Sequence, residues 1–599
     1  MATRFGNAVG AAAILMAAAP AAQAASFELG TLGSAPISGS WNTTLTESFG
    51  IRTQDPSCAL TGDPSQFGCG SSANTRLWSV GDNGNLNYKS GQPFTVASKA
   101  TTELLLKMPS EGLTFMGRAS FMYDAVAADT NRTGLSDSAM DRVVHNEQLY
   151  DLWLGKSFQI GDVNGRIRAG NQVINWGESL FLFGGINATN AIDYQKSLIP
   201  GTQIKEYVLP APLVSVAANI LPGVNVEGYY QLMYNKNIYP PVGSYWSMAD
   251  IFGPGARDPI TFNPNNFNWY GLDPAAQQRL KTGGQFAVPG LGDKYPGGGG
   301  QYGLSMHYKP AGSVFDWGVY YLRYNDKAPV LNLVTDPTAP IGLDYQFTYR
   351  SERSLYGIST NFPVGDWAIG SEFSYRPRDA ISLGSCFTPG VPLDSNVNVN
   401  PIPSQNCPLW ADKDRQDLHV TALLQLSPSD YPFILHNLRA DTGFLSLEVA
   451  GTRYGGINKN GITRTIEGVQ VTQLPAAGYV NWLSSTDLSN PNAVPRGVGS
   501  EYSAGAVADF NWTYDSTVIP GWQVTPGITY FNAFLGNTPN FAASYLQGAQ
   551  SVNLYVLFNQ NPAVWQAGLN YTAFFGGQEA SKQPYSDRSF VGGFVSFNF

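Results

Sequence analysis

The chain of 599 residues is 43% hydrophobic, 13% aromatic and only 13% charged, with 65 Gly, 31 Tyr and 32 Phe. Soluble helical enzymes carry about a quarter charged residues and far more Lys, Glu and Leu, so that class is excluded, and the aromatic content excludes disorder. With 35 basic and 44 acidic residues the net charge is −9, which leaves no basic footprint for a nucleic-acid partner.

Residues 1–24 carry the marks of a secretory signal peptide. Arg4 supplies the positive region, Ala8 to Ala22 the apolar region, and Ala22-Gln23-Ala24 the small-x-small cleavage site, so Ala25 is expected to begin the mature chain. The apolar stretch falls short of the roughly 20 residues a spanning helix needs, and no later uncharged apolar run reaches about 18. From about Ile37 to Phe599 strand candidates of roughly 9 to 13 residues recur with period-2 alternation, the length that crosses a bilayer at a tilt.

Cys58 and Cys69, and later Cys386 and Cys407, fall as pairs within long loops rich in Pro and Gly. Two disulfides in an oxidising compartment are the economical reading; a four-thiolate metal site is the alternative, although neither pair has C-x-x-C spacing. Asp82-Asn83-Gly84-Asn85-Leu86-Asn87 offers oxygen ligands near a Gly, but lacks the closing Glu of a calcium loop and reads more simply as an Asn/Gly turn.

Arg166 to Val173 reads as a strand with Arg168 and Gln172 on one face and Ile167, Ala169 and Val173 on the other, so the first pair is expected to face a lumen. After Trp176-Gly177-Glu178 the chain does not turn straight back. Segment 176–212, with Glu178, Asp193, Lys196, Lys205 and Glu206, is expected to fold inward as a constriction opposite Arg168; a packed loop with surface ion pairs is the plainer reading. Mixed signs in a narrow pore would orient dipolar or zwitterionic solutes.

Val224 to Tyr234 alternates most clearly, placing Val224, Val226, Gly228 and Tyr230 outward and Asn225, Glu227, Tyr229 and Gln231 inward. Trp367, Ile369, Phe373 and Tyr375 oppose Glu372, Ser374 and Arg376, and Leu445, Leu447 and Val449 oppose Ser446, Glu448 and Thr452. Short turns at Pro109 to Gly112, Pro222 to Gly223, Pro310 to Ser313 and Pro363 to Asp366 alternate with long segments such as Asn235 to Gly300, Asn325 to Arg350, Pro377 to Arg415 and Tyr454 to Gly499. The closing strand alternates Val591, Gly593, Val595, Phe597 and Phe599 with polar and small residues, as in the C-terminal signal of barrels delivered to the outer-membrane assembly machinery. An all-β, antiparallel transmembrane barrel of about eighteen strands over 25–599, with short periplasmic turns and long extracellular loops, accounts for all of this. A soluble sandwich would instead put its apolar face in a core.

His145, His307, His419 and His436 show no metal-ligand spacing, and no nucleophile elbow or nucleotide-binding motif appears, so neither cofactor nor enzymatic activity is expected.

The run RIRAGNQVINWGESLFLFGGINATNAID from Arg166, with ISGSWNTTLTESFGIRTQDP at Ile37, GDNGNLNY at Gly81, VEGYYQLMYN at Val226, WAIGSEFSYRP at Trp367, NYTAFFGG at Asn570, DRSF at Asp587 and the terminal SFNF, resembles the domain of unknown function 1302 family of proteobacterial outer-membrane proteins. The resemblance implies a porin-like barrel in the Gram-negative outer membrane, in contact with its lipid, associated with hydrophobic or unusual carbon sources. It also implies genomic company with a periplasmic lipid-carrier-like protein and an efflux-type transporter. The expected function is passive uptake of small or moderately hydrophobic organic solutes, with a structural or partner-docking barrel as the competing class. A solute is expected to meet Arg168, Gln172, Glu178, Asp193, Lys196, Lys205, Glu206, Glu227, Tyr229, Glu372 and Arg376.

Overall fold

The computed structural model describes residues 25–32, 35–61, 65–72, 83–256, 258, 260–262, 286–336, 343–384, 407–458, 460–466, 468–478, 497–560, 564–577 and 582–599. Nineteen strands share one sheet, and eighteen of them close into an antiparallel ring. In chain order the ring is β1 (Ala35–Arg52), β2 (Pro93–Met108), β3 (Leu113–Asp124), β4 (His145–Ile160), β5 (Val163–Gln172), β6 (Ala211–Leu221), β7 (Val224–Gln231), β8 (Gln301–Tyr308) and β9 (Asp316–Tyr324). It continues through β10 (Arg353–Val364), β11 (Trp367–Ser382), β12 (Trp410–Leu426), β13 (Thr442–Tyr454), β14 (Tyr502–Asp515), β15 (Trp522–Leu535), β16 (Gln550–Gln560), β17 (Trp565–Phe575) and β18 (Phe590–Asn598). Each strand pairs with its chain neighbours, and β18 closes on β1 from Thr44↔Asn598 to Arg52↔Phe590. The nineteenth strand, Ala25–Leu32, pairs with residues 35–41 of β1, a stretch of that edge that β18 does not reach.

Closure leaves no open edge around the ring, and alternation then sorts every strand into two environments. Leu152, Leu154, Ile167, Val214, Val216, Tyr230, Ile358, Phe373, Leu418, Val420 and Val449 are exposed on the outer face. Their strand neighbours Gln172, Ser215, Glu372, Ser374, Arg376, Asp417, His419 and Glu448 are buried on the inner face. An apolar exterior around a polar interior is the arrangement that lipid outside and water inside impose. No helix among the described residues is long and apolar enough to cross a membrane, so strands do the crossing.

One loop is shorter than its composition suggested. Where Pro377 to Arg415 reads as one long loop, β11 runs on to Ser382 and β12 starts at Trp410. A register shift between Arg376 and Asp379 lets the ladder pass Pro377, which has no N–H to donate, and resume with Asp379↔Lys413. The loops that stay long carry small hairpins of their own, Val330–Thr335 with Leu343–Thr348 and Ile462–Ile466 with Val469–Gln473. Cys58 and Cys69 are disulfide-bonded, whereas Cys386 lies outside the described residues.

The long β7–β8 connection crosses the barrel mouth. Its Tyr245 stacks on Phe94 of β2 with ring centroids 3.9 Å apart, and Trp246 packs edge-on against Phe590 of β18. Residues 83–88 form the seat for this crossing. Asn87 donates to Gly243 O at 2.9 Å, Asn85 donates to Asp587 at 2.8 Å, and Arg588 donates to Ser247 O at 2.7 Å. A Cβ on Gly84 would lie 2.4 Å from Ser247 O and 2.5 Å from Ser244 O, so only Gly allows the two backbones to approach. Asp82 lies outside the described residues; the rest of the Asn-rich stretch is a single helical turn, Asn83–Leu86, followed by Asn87, and the side-chain amides of Asn85 and Asn87 are used within the protein.

Candidate functional site

Between β5 and β6 the chain enters the lumen, and buried carboxylates on the far wall hold it there. Glu372 of β11 accepts from the backbone N–H of Glu178 at 2.5 Å and of Ile186 at 3.0 Å. Glu448 of β13 accepts from three successive N–H groups, Leu180 at 3.1 Å, Phe181 at 2.6 Å and Leu182 at 3.0 Å, and is bonded to His419 Nδ1 at 2.8 Å. A cluster of N–H groups on a carboxylate is a strong, directional attachment in a water-poor setting. The sequence permits it because Gly177 and Gly185 have no Cβ: one on Gly185, at φ +58°, would sit 1.7 Å from Glu372 Oε1. Asn187 closes the turn by accepting from Trp176 N–H at 3.1 Å, and Arg376 donates to Gly185 O at 2.7 Å.

The segment then returns to the opposite wall. Two single-turn helices, Tyr194–Ser197 and Ile204–Tyr207, face β2 to β4. Lys205 reaches Glu103 at 2.7 Å, Glu206 accepts from both Lys99 and Thr101 at 2.7 Å, and Lys196 donates to Tyr150 OH at 2.8 Å. Gly201 packs on Phe594 of β18 and Thr46 of β1. Asp193 caps the first helix by accepting from Lys196 N–H at 3.0 Å. Burial pushes the Asp193 carboxyl up, against the pull of Lys196, and pushes the Lys196 amine down to about 8, against Asp193 and Glu206. Burial also works to raise the Glu206 carboxyl, but Lys99 and its hydrogen bonds outweigh that and hold it low.

A cavity of about 980 Å³ lies between the inserted segment and the wall. Arg168 of β5 faces it, opposite Gly155 of β4, with its guanidinium 5.4 Å above the Trp153 ring. A Cβ on Gly155 would come within 3.4 Å of the Arg168 side chain and 3.2 Å of the indole, so the glycine makes room for the pair. Three large apolar side chains of the inserted segment, Leu180, Phe181 and Phe183, line the same cavity at 44%, 38% and 46% exposure.

The anticipated site residues therefore divide. Arg168, Gln172, Lys205 and Arg376 line the cavity. Glu227 and Tyr229 sit beside it through Trp176, whose indole N–H donates to Glu227 at 2.8 Å and whose ring lies 5.3 Å from that of Tyr229. Glu178 accepts from Asn361 at 3.4 Å next to Glu372. Asp193, Lys196 and Glu206 are buried in the seat of the segment on the β2–β4 wall. Sequence reasoning missed the contributions of Glu448, His419 and a four-membered set in which Arg376 and Arg415 share Asp379 and Asp417 at 2.9 to 3.8 Å. The inward charges on β12 and β13 were a usable signal for these. The apolar LFLF run at 180–183 was another, since a segment exposed only to water gains nothing from it.

A closed ring with an apolar exterior, a polar interior and a segment folded into the lumen defines a transmembrane β barrel. The chain belongs to the family described as protein of unknown function DUF1302, whose model matches residues 6–599. No curated protein sequence is significantly similar to it. Among solved structures it is similar to Pseudomonas aeruginosa OccK1 (OpdK), at 8% identity and a TM-score of 0.38 over 94% of this chain and 98% of that one. It is also similar to P. aeruginosa OccD3 (OpdP), at 10% identity and 0.38 over 96% and 95%. A BenF-like porin from Pseudomonas fluorescens Pf-5 matches at 8% identity and 0.39 over 94% and 98%. The architecture of this chain rests on its own strand pairings.

Proposed function

We propose that the protein is a porin-like channel of the outer membrane for passive uptake of small or moderately hydrophobic organic solutes, with segment 176–212 as its constriction. The observation that carries this reading is the lumen cavity of about 980 Å³ in which Leu180, Phe181 and Phe183 stay exposed. Apolar side chains left uncovered inside a polar lumen give a passing solute a surface on which to shed water. The volume is of the order that binds drug-sized molecules, roughly 300–1,000 Å³. Energy comes from the solute gradient. The constriction reading is supported by the attachment of one segment to opposite walls, at Glu372 and Glu448 on one side and at Lys99, Thr101 and Glu103 on the other.

Purified protein in planar bilayers and in swelling vesicles tests this. Stepwise conductance, and faster swelling with aryl or alkyl solutes than with sugars of equal size, are expected. A channel closed to ions and to every solute under all conditions, with unimpaired uptake in a deletion strain, would sink the reading.

A further inference from the structure

The cations around the cavity are not equivalent. Arg118 lies between Glu103 at 2.8 Å and Asp151 at 2.7 Å, and Lys205 shares Glu103. Arg376 and Arg415 are matched by Asp379 and Asp417. These groups neutralise one another and hold the walls together. Arg168 differs: it is half-buried, faces the cavity and makes no hydrogen bond or ion pair with any described residue, its one contact of note being the Trp153 ring beneath it. The carboxylates nearest in influence are engaged elsewhere, Glu227 by the Trp176 indole and Asp151 by Arg118. A planar guanidinium has five donors in a fork that matches a carboxylate. Here the fork is unspent, its central carbon 5.4 Å from the centroid of an indole.

Among the described residues that line the cavity no carboxylate is free in the same sense, since Asp151 and Asp379 are paired with arginines and Asp326 with Arg353 at 3.1 Å. A cationic solute finds no unpaired carboxylate among these lining residues, and a zwitterion finds a partner there for only half of itself. An apolar body does find a partner, because Leu180, Phe181 and Phe183 line the same cavity.

We propose that the solute is an organic anion with an apolar body, of the arylalkanoate or medium-chain carboxylate class, its carboxylate forked by Arg168 and its body lying on the 180–183 surface. This rests on the reading of the cavity as the solute path.

The test is titration calorimetry on the full-length protein with three ligands of one body and different heads: 3-phenylpropanoate, 3-phenylpropylammonium and 3-phenylpropanol. The anion is expected to bind at least about tenfold more tightly than the other two, the scale of a hydrogen bond between charged groups. Arg168→Gln should bring it to the level of the alcohol, and Arg168→Lys, which keeps the charge and loses the fork, to an intermediate value. Phe181→Ser should weaken anion and alcohol alike. Heat-modifiable migration confirms that each variant forms its barrel. Equal affinity for the three heads, or an anion preference that survives Arg168→Gln, overturns the proposal. Conductance is read separately: a pore that never opens but binds the anion through Arg168 removes the channel reading alone, and a conducting pore without head preference removes this inference alone.

Discussion

Glu448→Gln isolates the attachment of the inserted segment. In the parent, one carboxylate with a fully buried side chain accepts from the N–H groups of Leu180, Phe181 and Leu182 and from His419. A glutamine fills the same space but carries no charge: its one oxygen takes the place of Oε2 before the three N–H groups, and its NH₂ group replaces Oε1 against His419 Nδ1. Bonds to a charged acceptor are worth roughly 1.5–3 kcal/mol each and do not add fully, so about 3 kcal/mol of local stability is expected to go. At about 1.4 kcal/mol per decade this is a roughly hundredfold faster amide exchange at residues 180–182. Strand β2, in the ring on the opposite wall, supplies the control, and its exchange should not change, because the ring's hydrogen bonds are untouched. Hydrogen–deuterium exchange by mass spectrometry reads both peptides from one sample, and bilayer recordings should show larger, noisier conductance as the segment leaves the wall. Unchanged exchange at 180–182 would refute the claim that Glu448 holds the segment.

Gly84→Ala should dislodge the crossing loop, because its Cβ would meet two backbone oxygens at 2.4 and 2.5 Å; a cost of about 1–3 kcal/mol should appear as faster proteolysis within 235–256 while the barrel persists. Lys327, held by Asn235 Oδ1 at 2.8 Å, is pushed down to about 7 by burial, with Asp326 opposing, far below the roughly 10.4 of an exposed lysine. Between about pH 7 and 10 the undocked loop therefore binds more protons than the docked one, so docking strengthens as pH rises through that window. Exchange of residues 325–330, normalised for intrinsic rate, should slow accordingly, and Lys327→Met should flatten the trend. Removing the Cys58–Cys69 bridge, which spans 11 residues, should cost up to about 3 kcal/mol on the chain-entropy account, read as faster exchange over 53–72. Non-reducing peptide mapping should return that pair.

The ring was legible because lipid imposes a rule that each strand obeys on its own. Val226, Glu227, Gly228 and Tyr229 alternate without reference to any distant residue, and so do Glu372, Phe373 and Ser374. The Pro377 bulge was not legible, since only the partner strand shows where pairing resumes. The site was legible in part for the same reason. Arg168 could be placed on the inner face by period alone, but that Lys205 and Glu206 are spent on Glu103 and Lys99 depends on a strand 102 to 107 residues away in the chain. Charge signs could be read in the sequence; which charges neutralise one another could not. That difference separates Arg376, Arg415 and Lys205, which described carboxylates neutralise, from Arg168, which makes no ion pair with a described residue.

The motifs that resembled a family look unrelated along the chain, yet they meet. The Trp176 to Asn187 stretch holds Glu372 from the WAIGSEFSYRP run, while residues 83–88 and Asp587-Arg588 hold the mouth loop. The two assemblies are joined, because Ile192 N–H donates to Asn237 Oδ1, Ile238 N–H to Ile192 O and Tyr194 N–H to Ile238 O, each at 2.9 Å. One hydrogen-bonded scaffold thus runs from the Asn83–Asn87 seat, across the mouth, down the inserted segment and onto Glu448. Hydrophobic clusters back it at two points, Tyr88, Phe94, Tyr245, Trp246 and Phe590 at the mouth and Trp176, Ile186, Leu213 and Tyr229 beside the inserted segment, and the polar links join them. Glycine stands where backbone must touch backbone or carboxylate, and asparagine where a loop's free N–H and C=O groups need a partner. Their spacing follows the lumen's cross-section and not a strand or helix period, which is why a reading by periodicity passes over them.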